Sequence, residues 1–340
     1  MSSESKVTVV RLGEILPLEN SDSLAITQVH GGYPCIVRRG QFEPGSLVAY
    51  VPVDILVPTR TVSFAFLAPK SHPDGFYRVK AQRLRGTYSM GLLVAAPDGS
   101  NLDDDVTEAM GCMKWEAPAD MIGGDNEADP GLMPIYTDVE SLRRWLNEPG
   151  VFDSAFPEWV LTEKIHGANA RYCFANGRLW VGSRTGIKRY DPRSIWWVVA
   201  ATTNYDLAER LAPYPEIVVY GEVYGQVQDL KYGVPSGVRF VMFDILNRKT
   251  RTYLGWNSVV EWGERLGLPV VPEIGRVNLW NGPTALDIIR PFAEGQSILA
   301  PSCIREGVVL RPALTDRSAP RLGRVILKLV GEGYHTRKGT

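Results

Sequence analysis

Short segments in which apolar and polar residues alternate dominate the first hundred positions. Four of them are KVTVVRL, YPCIVRR, SLVAYVPV and YRVKAQRL, and Gly, Pro and Asp turns separate them. Alternation with a period of two places every second side chain on the same face of a β-strand. The chain from about residue 6 to residue 97 is therefore predicted to be all-β. About five short strands in a module of this size favour a small barrel, and the OB-fold is the commonest such barrel that binds nucleic acids.

The pattern changes after this module. The stretch APADMIGGDNEADPGLMP, residues 117–134, lacks apolar periodicity and is rich in Pro, Gly and acidic residues, which is typical of a linker. We therefore predict two domains, residues 1–125 and residues 126–340. Short helices are predicted on both sides of the linker. One lies in DDDVTEAMG, and the other begins with the capping signature of Thr137 and Glu140.

The second domain mixes strands and helices. PRSIWWVVAATTNYDLAERL, NSVVEWGERLG and PTALDIIRPFAEGQ carry apolar residues three or four positions apart, as amphipathic helices do. Because strands do not alternate strictly with these helices, the predicted fold class is α+β with antiparallel sheets rather than a doubly wound parallel sheet. The predicted strands cover residues 158–165, 169–183, 216–225, 238–246, 306–312 and 323–330.

The composition is that of a globular protein. Of the 340 residues, 44% are hydrophobic and 22% are charged, and the net charge is −1, so local basic patches would have to hold any nucleic acid. The four cysteines occur singly, which indicates neither a disulfide framework nor a zinc site. No apolar run approaches the roughly 18 residues of a membrane span. We expect a cytoplasmic protein without a membrane partner, and a monomer.

A lysine in a tight polar turn is the strongest candidate for chemistry. The phosphate-binding patterns GxxxxGK[ST] and GxGxxG are missing, so a nucleotide would have to bind in another way. In LTEKIHGANARYCF, Lys164 ends a strand-like run and precedes His166, Gly167 and Asn169. Such a lysine can act as a nucleophile when partial burial and nearby positive charges favour its neutral form. Taken alone, a lysine before a glycine turn is more often a solvated surface residue.

Five further blocks follow this turn in a fixed order. EKIHGAN is succeeded by GSRTG, YGEVYG, FVMFDI, REGVVLRP and ILKLV. The series resembles the covalent nucleotidyltransferases, the superfamily of DNA ligases, RNA ligases and capping enzymes, and EKIHGAN resembles the RNA ligase form of their first motif. The resemblance spans Lys164 to Lys328. It implies a nucleotidyltransferase domain with the ATP-grasp-like fold of DNA and RNA ligases.

The resemblance also implies a role for each block. Lys164 would attack the α-phosphate of ATP and carry AMP, while Lys328 would stabilise the charge that develops on the phosphate. Glu222 and Glu306 would contact the ribose and hold Mg²⁺ or Mn²⁺, with the two roles unassigned between them. Phe243 would stack on adenine. The other candidates for contacts to ATP or to the incoming strand are Glu163, Ile165, Gly167, Asn169 and Arg184.

One position departs from the family pattern. RNA ligases often carry two lysines in K-x-K spacing in the last block, whereas this chain has Ile326 two residues before Lys328. Arg324 and Lys338 are the two candidates to replace the missing lysine.

The order of the two modules resembles a bacterial nick-sealing type of RNA ligase, in which an OB module precedes the nucleotidyltransferase domain. Only about a dozen residues follow Lys328, and we expect no further domain there. The resemblance implies joining of a 3'-hydroxyl RNA end to a 5'-phosphate at breaks in RNA or RNA/DNA duplexes. In the first module, Arg78, Lys80, Arg83 and Arg85 lie among aromatic residues and are candidates for nucleic-acid contacts. A solvated strand face is the other interpretation of these charges.

Two other functions stay open. A GTP-using enzyme of the capping type belongs to the same superfamily, although the KIHGAN block speaks against it. A non-catalytic RNA-binding protein would account for the OB-like module and the incomplete K-x-K.

Overall fold

The computed structural model describes residues 6–30, 32–115 and 124–336. These residues form two compact units. The first holds residues 6–115, Glu140–Asn147 and residues 335–336, and the second holds residues 124–139 and 148–334. The domain boundary between residues 125 and 126 stays a prediction.

The first unit is built almost entirely from strands, as the alternating pattern predicted. Its helical parts are 3₁₀ turns at Val62–Lys70 and Leu142–Arg144. The strands are β1 (Thr8–Arg11), β2 (Ile15–Pro17), β3 (Leu24–Val29), β4 (Tyr33–Arg38), β5 (Leu47–Val51), β6 (Ile55–Pro58), β7 (Phe76–Arg78), β8 (Gln82–Leu84), β9 (Thr87–Ser89), β10 (Leu92–Ala95) and β11 (Met113–Lys114).

Strand β5 is the middle strand of a three-stranded sheet in the first unit. It pairs antiparallel with β1 on one side and with β10 on the other. Ala49 and Val51 belong to one hydrophobic cluster, and Val48 and Tyr50 belong to another. Because successive side chains of a strand point to opposite faces, a β5 that is apolar at nearly every position can serve two cores at once. Strands β2, β3 and β4 form a second antiparallel sheet.

The second unit contains longer antiparallel strands, and the α-helices of the described residues lie in it or begin in it. Its helices are α1 (Ile195–Ala201), α2 (Leu207–Leu211), α3 (Trp256–Leu266), α4 (Gly282–Ala293) and α5 (Glu332–Thr336), the last of which ends in the first unit. Strand β13 (Glu140–Ser141) belongs to the first unit. The strands of the second unit are β12 (Asn126–Glu127), β14 (Glu158–Lys164), β15 (Ala168–Ala175), β16 (Arg178–Ser183), β17 (Ile187–Lys188), β18 (Ile217–Gly225), β19 (Val238–Asn247), β20 (Thr252–Tyr253), β21 (Glu273–Asn278), β22 (Gly307–Pro312), β23 (Ser318–Ala319), β24 (Gly323–Arg324) and β25 (Leu327–Val330).

Two sheets organise the second unit. One has the strand order β12-β17-β16-β15-β18-β19-β20, and the strands of this unit in the other run in the order β25-β22-β14-β21. The largest core cluster combines buried side chains of α1, α2 and α3 with those of β18 and β19, including Trp196, Leu207 and Trp256. The predicted α+β fold with antiparallel sheets is therefore confirmed. No helix within the described ranges is both long and apolar enough to cross a membrane.

Two predicted helices are wrong. Residues 103–111 form turns, where the Thr107 hydroxyl accepts a hydrogen bond from the backbone N–H of Val7 (2.8 Å). At the capping signature, the chain forms the two-residue strand β13, which is followed by one 3₁₀ turn. There Leu142 is fully buried, and Arg143 donates a hydrogen bond to the carbonyl of Gly32 (2.5 Å). Tertiary contacts of the first unit thus override a local capping preference.

The predicted strand over residues 169–183 is a hairpin. Strands β15 and β16 pair antiparallel, and the chain reverses at Asn176 and Gly177, with φ of 53° and 75°. An Asn-Gly pair with two positive φ values is the favoured two-residue hairpin turn. The predicted linker lies partly outside the described residues. Its described end is packed, since Met133 is 1% exposed in a core cluster.

Candidate active site

The two predicted catalytic lysines lie on the same face of one sheet. Lys164, at the end of β14, is directly opposite Gly307 of β22, and Thr162 two residues earlier is opposite Val309. Val309 in turn is opposite Lys328 of β25. Residues opposite each other in a ladder, and residues two apart in a strand, share a face. Lys164 and Lys328 therefore project to the same side, and the side chain of Glu163 projects to the other.

A buried carboxylate holds the Lys164 ammonium. Lys164 Nζ lies 2.7 Å from Glu306 Oε1, and Glu306 is 6% exposed. Burial by itself raises the pKa of Glu306, but the charge of Lys164 and the contact with His166 outweigh burial and hold the pKa below its usual range. The second oxygen of Glu306, Oε2, accepts no hydrogen bond within the described residues.

Four side chains contact His166, two residues after the lysine. Its Nε2 lies 2.6 Å from Asp229 Oδ1, and its Nδ1 lies 3.1 Å from the hydroxyl of Tyr334 and 3.7 Å from Glu306 Oε2. Its backbone N–H donates to the Tyr232 hydroxyl at 2.7 Å. Sequence reasoning missed Asp229, Tyr232 and Tyr334. Each is distant from Lys164 along the chain, and none lies in a block of the series.

The other sheet supplies a polar pair. Asn169 of β15 is directly opposite Glu222 of β18, so both side chains share one face. Burial raises the pKa of Glu222 to about 8, with the nearby Lys164 charge opposing the rise and Glu306 adding to it. Asn169 Oδ1 is buried without a hydrogen-bond partner in the described part of the chain. A buried amide oxygen without a donor indicates a place for a ligand or a water molecule.

Gly167 allows a close approach between the chain at the start of β15 and strand β18, which carries Glu222. A Cβ atom at Gly167 would lie 2.2 Å from the carbonyl oxygen of Val223. No side chain fits at that distance, so glycine is required there for a steric reason. The Gly167 backbone also makes a hydrogen bond that helps to lower the pKa of Glu222.

Phe243 lies at an irregularity of β19. The strand register shifts between the pairs Gly221–Met242 and Tyr220–Asp244, which leaves Phe243 as the extra residue of a β-bulge. Its ring is partly buried and contacts Tyr136 edge to face, with 5.0 Å between ring centroids. Bulges re-aim a side chain, and an adenine base would stack on such a partly exposed ring.

Arg324 belongs to a buried ion cluster. Its guanidinium lies 2.7 Å from Asp244 and 2.5 Å from Asp316, and Arg311 also contacts Asp244 at 2.8 Å. Burial alone raises the pKa of Asp244, but the two arginines outweigh burial and hold that pKa below its usual range. These contacts commit Arg324 to the interior, which speaks against Arg324 as a replacement for the missing lysine. Lys338 lies outside the described residues.

Ile326, in place of the first lysine of a K-x-K, is part of the core. It is 3% exposed and packs in a cluster that includes Tyr136, Phe243 and Val309.

The other predicted nucleotide contacts fall into two groups. Arg184 forms an ion pair with Asp138, and its positive charge lowers the pKa of Glu222. Glu163 and Ile165 are buried, and Glu163 Oε2 accepts a hydrogen bond from the backbone of Ile298 at 2.8 Å. Contacts of these two residues to adenine through the backbone stay a prediction.

A metal ion would find two carboxylates at this site. In the described part of the chain, no three His, Cys, Asp or Glu side chains converge as a metal site. Glu306 and Glu222 interact electrostatically with each other and with Lys164. Mg²⁺ is usually held by one or two carboxylates together with phosphate oxygens, so this pair fits an ion that arrives with a nucleotide.

The basic residues predicted in the first unit differ in their surroundings. Arg78 lies 2.7 Å from Asp54, and its guanidinium covers the ring of Trp115 at 3.4 Å. Arg83 and Arg85 are exposed on the hairpin of β8 and β9, and Lys80 is exposed just before it. Arg78 is therefore held by contacts within the unit, whereas the other three charges face solvent.

Two antiparallel sheets, a lysine at a strand end and two carboxylates beside it define a nucleotidyltransferase domain of the ligase class. The RNA ligase family model matches residues 157–330, and an OB-fold domain model matches residues 6–96. The chain belongs to the RNA ligase family, and its first unit is an OB-fold domain. No curated protein matches the chain significantly.

Solved structures of Naegleria gruberi RNA ligase share the fold. The complex with PPi has 22% identity and a TM-score of 0.82, covering 97% of this chain and 97% of that chain. A variant with ATP and Mn has 22% identity and a TM-score of 0.83, covering 97% and 98%. A variant with AMP and Mn has 22% identity and a TM-score of 0.82, covering 97% of both chains.

Proposed function

We propose that this chain is an ATP-dependent RNA ligase that joins a 3'-hydroxyl RNA end to a 5'-phosphate end through AMP carried on Lys164. One observation carries the proposal. Lys164 Nζ is held 2.7 Å from Glu306 on the sheet face that also bears Lys328. The use of ATP and a metal is supported by the ATP and Mn complexes of the Naegleria gruberi enzyme.

The residues fit a nucleotide in several ways. Asn169 Oδ1 and Glu306 Oε2 are buried oxygens without hydrogen-bond partners among the described residues, and either could accept from ribose hydroxyls or approach a cation. Gly167 allows the strand to come close, and Phe243 offers a partly exposed ring. Contacts of Glu163, Ile165, Asn169 and Arg184 to the nucleotide are proposed on the same grounds.

The first step is an attack of the Lys164 amine on the α-phosphorus of ATP. The amine must lose a proton and leave Glu306, and the new nitrogen–phosphorus bond replaces the bond to pyrophosphate, which departs. Lys328 stabilises the additional negative charge on the α-phosphate oxygens. A divalent cation held by Glu306 and Glu222 would supply further neutralisation of phosphate charge.

The two later steps use the same groups. A terminal 5'-phosphate oxygen attacks the phosphorus of AMP and releases Lys164, and the 3'-hydroxyl then attacks the activated 5'-phosphate and releases AMP. Because all three steps are displacements at phosphorus, one arrangement of Lys328 and carboxylates can serve each of them.

We further propose that nicks in RNA or RNA/DNA duplexes are the substrate, and that the OB-fold domain holds the duplex. Exposed Lys80, Arg83 and Arg85 support phosphate contacts by that domain. Single, unpaired Cys35, Cys112, Cys173 and Cys303 support the proposal of a reducing, cytoplasmic compartment. A monomer is proposed as the active form.

The deciding experiment is incubation of the purified protein with α-labelled ATP or GTP and Mg²⁺ or Mn²⁺, followed by denaturing electrophoresis. We expect an acid-labile label from ATP that is lost in Lys164→Ala and kept in Lys249→Ala, an exposed lysine on the turn after β19. Persistent labelling of Lys164→Ala would show that the nucleophile is another residue. A label from GTP alone would favour a capping-type enzyme, and no label with either nucleotide would favour a non-catalytic RNA-binding protein.

The substrate is tested with the same protein on a nicked RNA duplex, a nicked RNA/DNA duplex and single-stranded RNA. Faster sealing of either nick than of single strands is expected. Equal or preferential joining of single strands would contradict the proposal of nick sealing.

A further inference from the structure

A positively charged ribbon begins in β17, the second strand of the larger sheet, and continues into the loop before α1. We call residues 187–193, with the sequence IKRYDPR, the basic ribbon. It carries Lys188, Arg189 and Arg193 against the single acidic residue Asp191. It follows the GSRTG block, whose Arg184 lowers the pKa of Glu222. The ribbon therefore begins three residues after Arg184, whose charge interacts with Glu222.

Two consecutive tryptophans of α1 connect the basic ribbon to the strand of the site. Trp196 is buried, and its indole N–H donates to the carbonyl of Asn169 at 2.9 Å. The indole N–H of Trp197 donates to the carbonyl of Lys188 at 3.1 Å. The ribbon is thus held in a defined position relative to β15.

Tyr190 is an exposed aromatic residue held by this arrangement. Tyr190 is 66% exposed, and its ring contacts Trp197 edge to face, with 5.1 Å between ring centroids. This edge-to-face contact restrains the orientation of the ring, while most of the residue stays exposed to solvent. A pre-positioned ring on a basic ribbon is the combination with which proteins stack unpaired bases.

The positive charges of the basic ribbon are not equally available. Arg193 forms an ion pair with Asp191 at 3.2 Å. Lys188 donates to the carbonyl of Gly124 at 3.2 Å, and its ammonium lies 4.7 Å from the Trp196 ring centroid. Arg189, next to Tyr190, is exposed, and its side chain has no ion-pair partner within the described ranges. Arg189 is therefore the charge most accessible to a phosphate.

We propose that the basic ribbon binds the RNA strand next to the break, with an unpaired base at that end stacked on Tyr190 and a backbone phosphate paired with Arg189. The proposal deepens the proposed function, on which it rests, because it assigns an RNA contact to the nucleotidyltransferase domain itself. Charge complementarity and membership in the RNA ligase family identify RNA as the occupant.

The test measures binding of a fluorescent single-stranded RNA of about 20 nucleotides to the full-length protein by anisotropy at several salt concentrations. Tyr190→Ala should weaken binding about tenfold, since one base stacked on an aromatic ring contributes that order of affinity, and Tyr190→Trp should keep it. Arg189→Ala should lower the slope of log affinity against log salt by about one, as loss of one phosphate contact does. Lys249→Ala, on an exposed turn of the same unit, is the matched control and should bind like the wild type.

Adduct formation from labelled ATP is measured in each preparation, because that reaction needs no RNA. The inference is wrong if Tyr190→Ala and Arg189→Ala bind RNA like the wild type, if both weaken it no more than Lys249→Ala does, or if the wild type binds no RNA. Failure of the proposed function looks different, because the wild type would then form no AMP adduct. If the wild type forms the adduct and both ribbon variants bind RNA unaltered, the ribbon proposal is wrong while the proposed function stands.

Discussion

Glu222 is a carboxyl group whose ionisation opposes folding. Its folded-state pKa of about 8 lies above the ordinary value of 4.5, so the folded protein keeps a proton that the unfolded chain loses. The contribution of protonated Glu222 to the free energy of unfolding is fully present below about pH 4.5, and it is lost as the pH rises towards 8. This side chain lies beside a second carboxylate, Glu306, and that proximity adds to the shift.

We predict that Glu222→Gln raises the melting temperature relative to the wild type by a few degrees at pH 8 and by less at pH 5. Glutamine resembles the protonated carboxyl group and removes the cost of ionisation.

Thermal unfolding followed by circular dichroism at both pH values measures the difference, with Glu261→Gln on the exposed side of α3 as control. A difference that is constant from pH 5 to pH 8 would contradict a raised pKa at Glu222. Adduct formation by Glu222→Gln should fall, because a neutral amide is a poor metal ligand.

At the scale of single elements, the ion cluster around Asp244 connects β19 with β22 and β24. Asp244 is completely buried and contacts Arg311, Arg324 and the Tyr136 hydroxyl, the last at 2.6 Å. Removing one partner of a buried ion pair leaves the opposite charge without compensation.

We predict that Asp244→Asn lowers the free energy of unfolding at neutral pH by about 3–5 kcal/mol. Urea unfolding measures this loss, and Asp287→Asn, at an 82% exposed side chain, should leave stability unchanged. Because the pKa of Asp244 lies below the ordinary 3.8, the stabilisation is present above that pH and is lost as the pH falls below it. The gap between variant and wild type should therefore shrink in acid. A loss at neutral pH no larger than that of Asp287→Asn would show that the cluster contributes little.

The surroundings of Ile326 give a structural reason for an apolar residue at this position. Ile326 fills a core cluster with Tyr136 and Val309, and Arg324 is held by the buried ion cluster around Asp244.

We predict that Ile326→Lys, which restores the K-x-K spacing, costs about 3 kcal/mol of stability and does not increase adduct formation, because it buries an ammonium without a partner. Ile326→Met keeps the volume and should cost less than about 1.5 kcal/mol. Both variants are compared by urea unfolding and by labelling with ATP. Wild-type stability of Ile326→Lys together with faster labelling would show that this position reaches the nucleotide.

At the scale of the whole molecule, chain order and spatial units do not coincide. The segment Glu140–Asn147 belongs to the first unit, although it follows residues 124–139 of the second. Leu142 and Leu146 of this segment are buried. A truncation that removes the first 123 residues would remove the hydrogen bond from Arg143 to Gly32, so point variants test the role of the OB-fold domain more cleanly than deletion does.

We predict that the double variant Arg83→Ala and Arg85→Ala weakens binding to a nicked RNA duplex and lowers the salt slope by about two, while AMP labelling of Lys164 is unchanged. The two side chains are exposed on the hairpin of β8 and β9, far along the chain from the nucleotide motifs. Lys70→Ala, at an exposed lysine of the same unit, is the matched control. Unaltered duplex binding and sealing by the double variant would remove this hairpin from substrate recognition.

Much of the architecture could be read from local patterns. Alternation in the first hundred residues predicted the all-β unit, and the order of the blocks from Lys164 to Lys328 predicted the RNA ligase family. Both signals are local, since side-chain period and short motifs are written in consecutive residues. The helix predicted after Thr137 does not form, because burial of Leu142 and the hydrogen bond from Arg143 to Gly32 stabilise the chain more than a helix cap would.

The sequence by itself determined which residues are available for chemistry, among them Lys164, Glu306, Glu222 and Lys328. Only the tertiary structure decided their partners. Strand register brings Asn169 opposite Glu222 and places both lysines on one face, and folding brings Asp229 and Tyr334 to His166. These contacts join residues that are tens to more than a hundred positions apart in the chain. No local pattern encodes such pairings, because they depend on how sheets and loops pack once the core has formed.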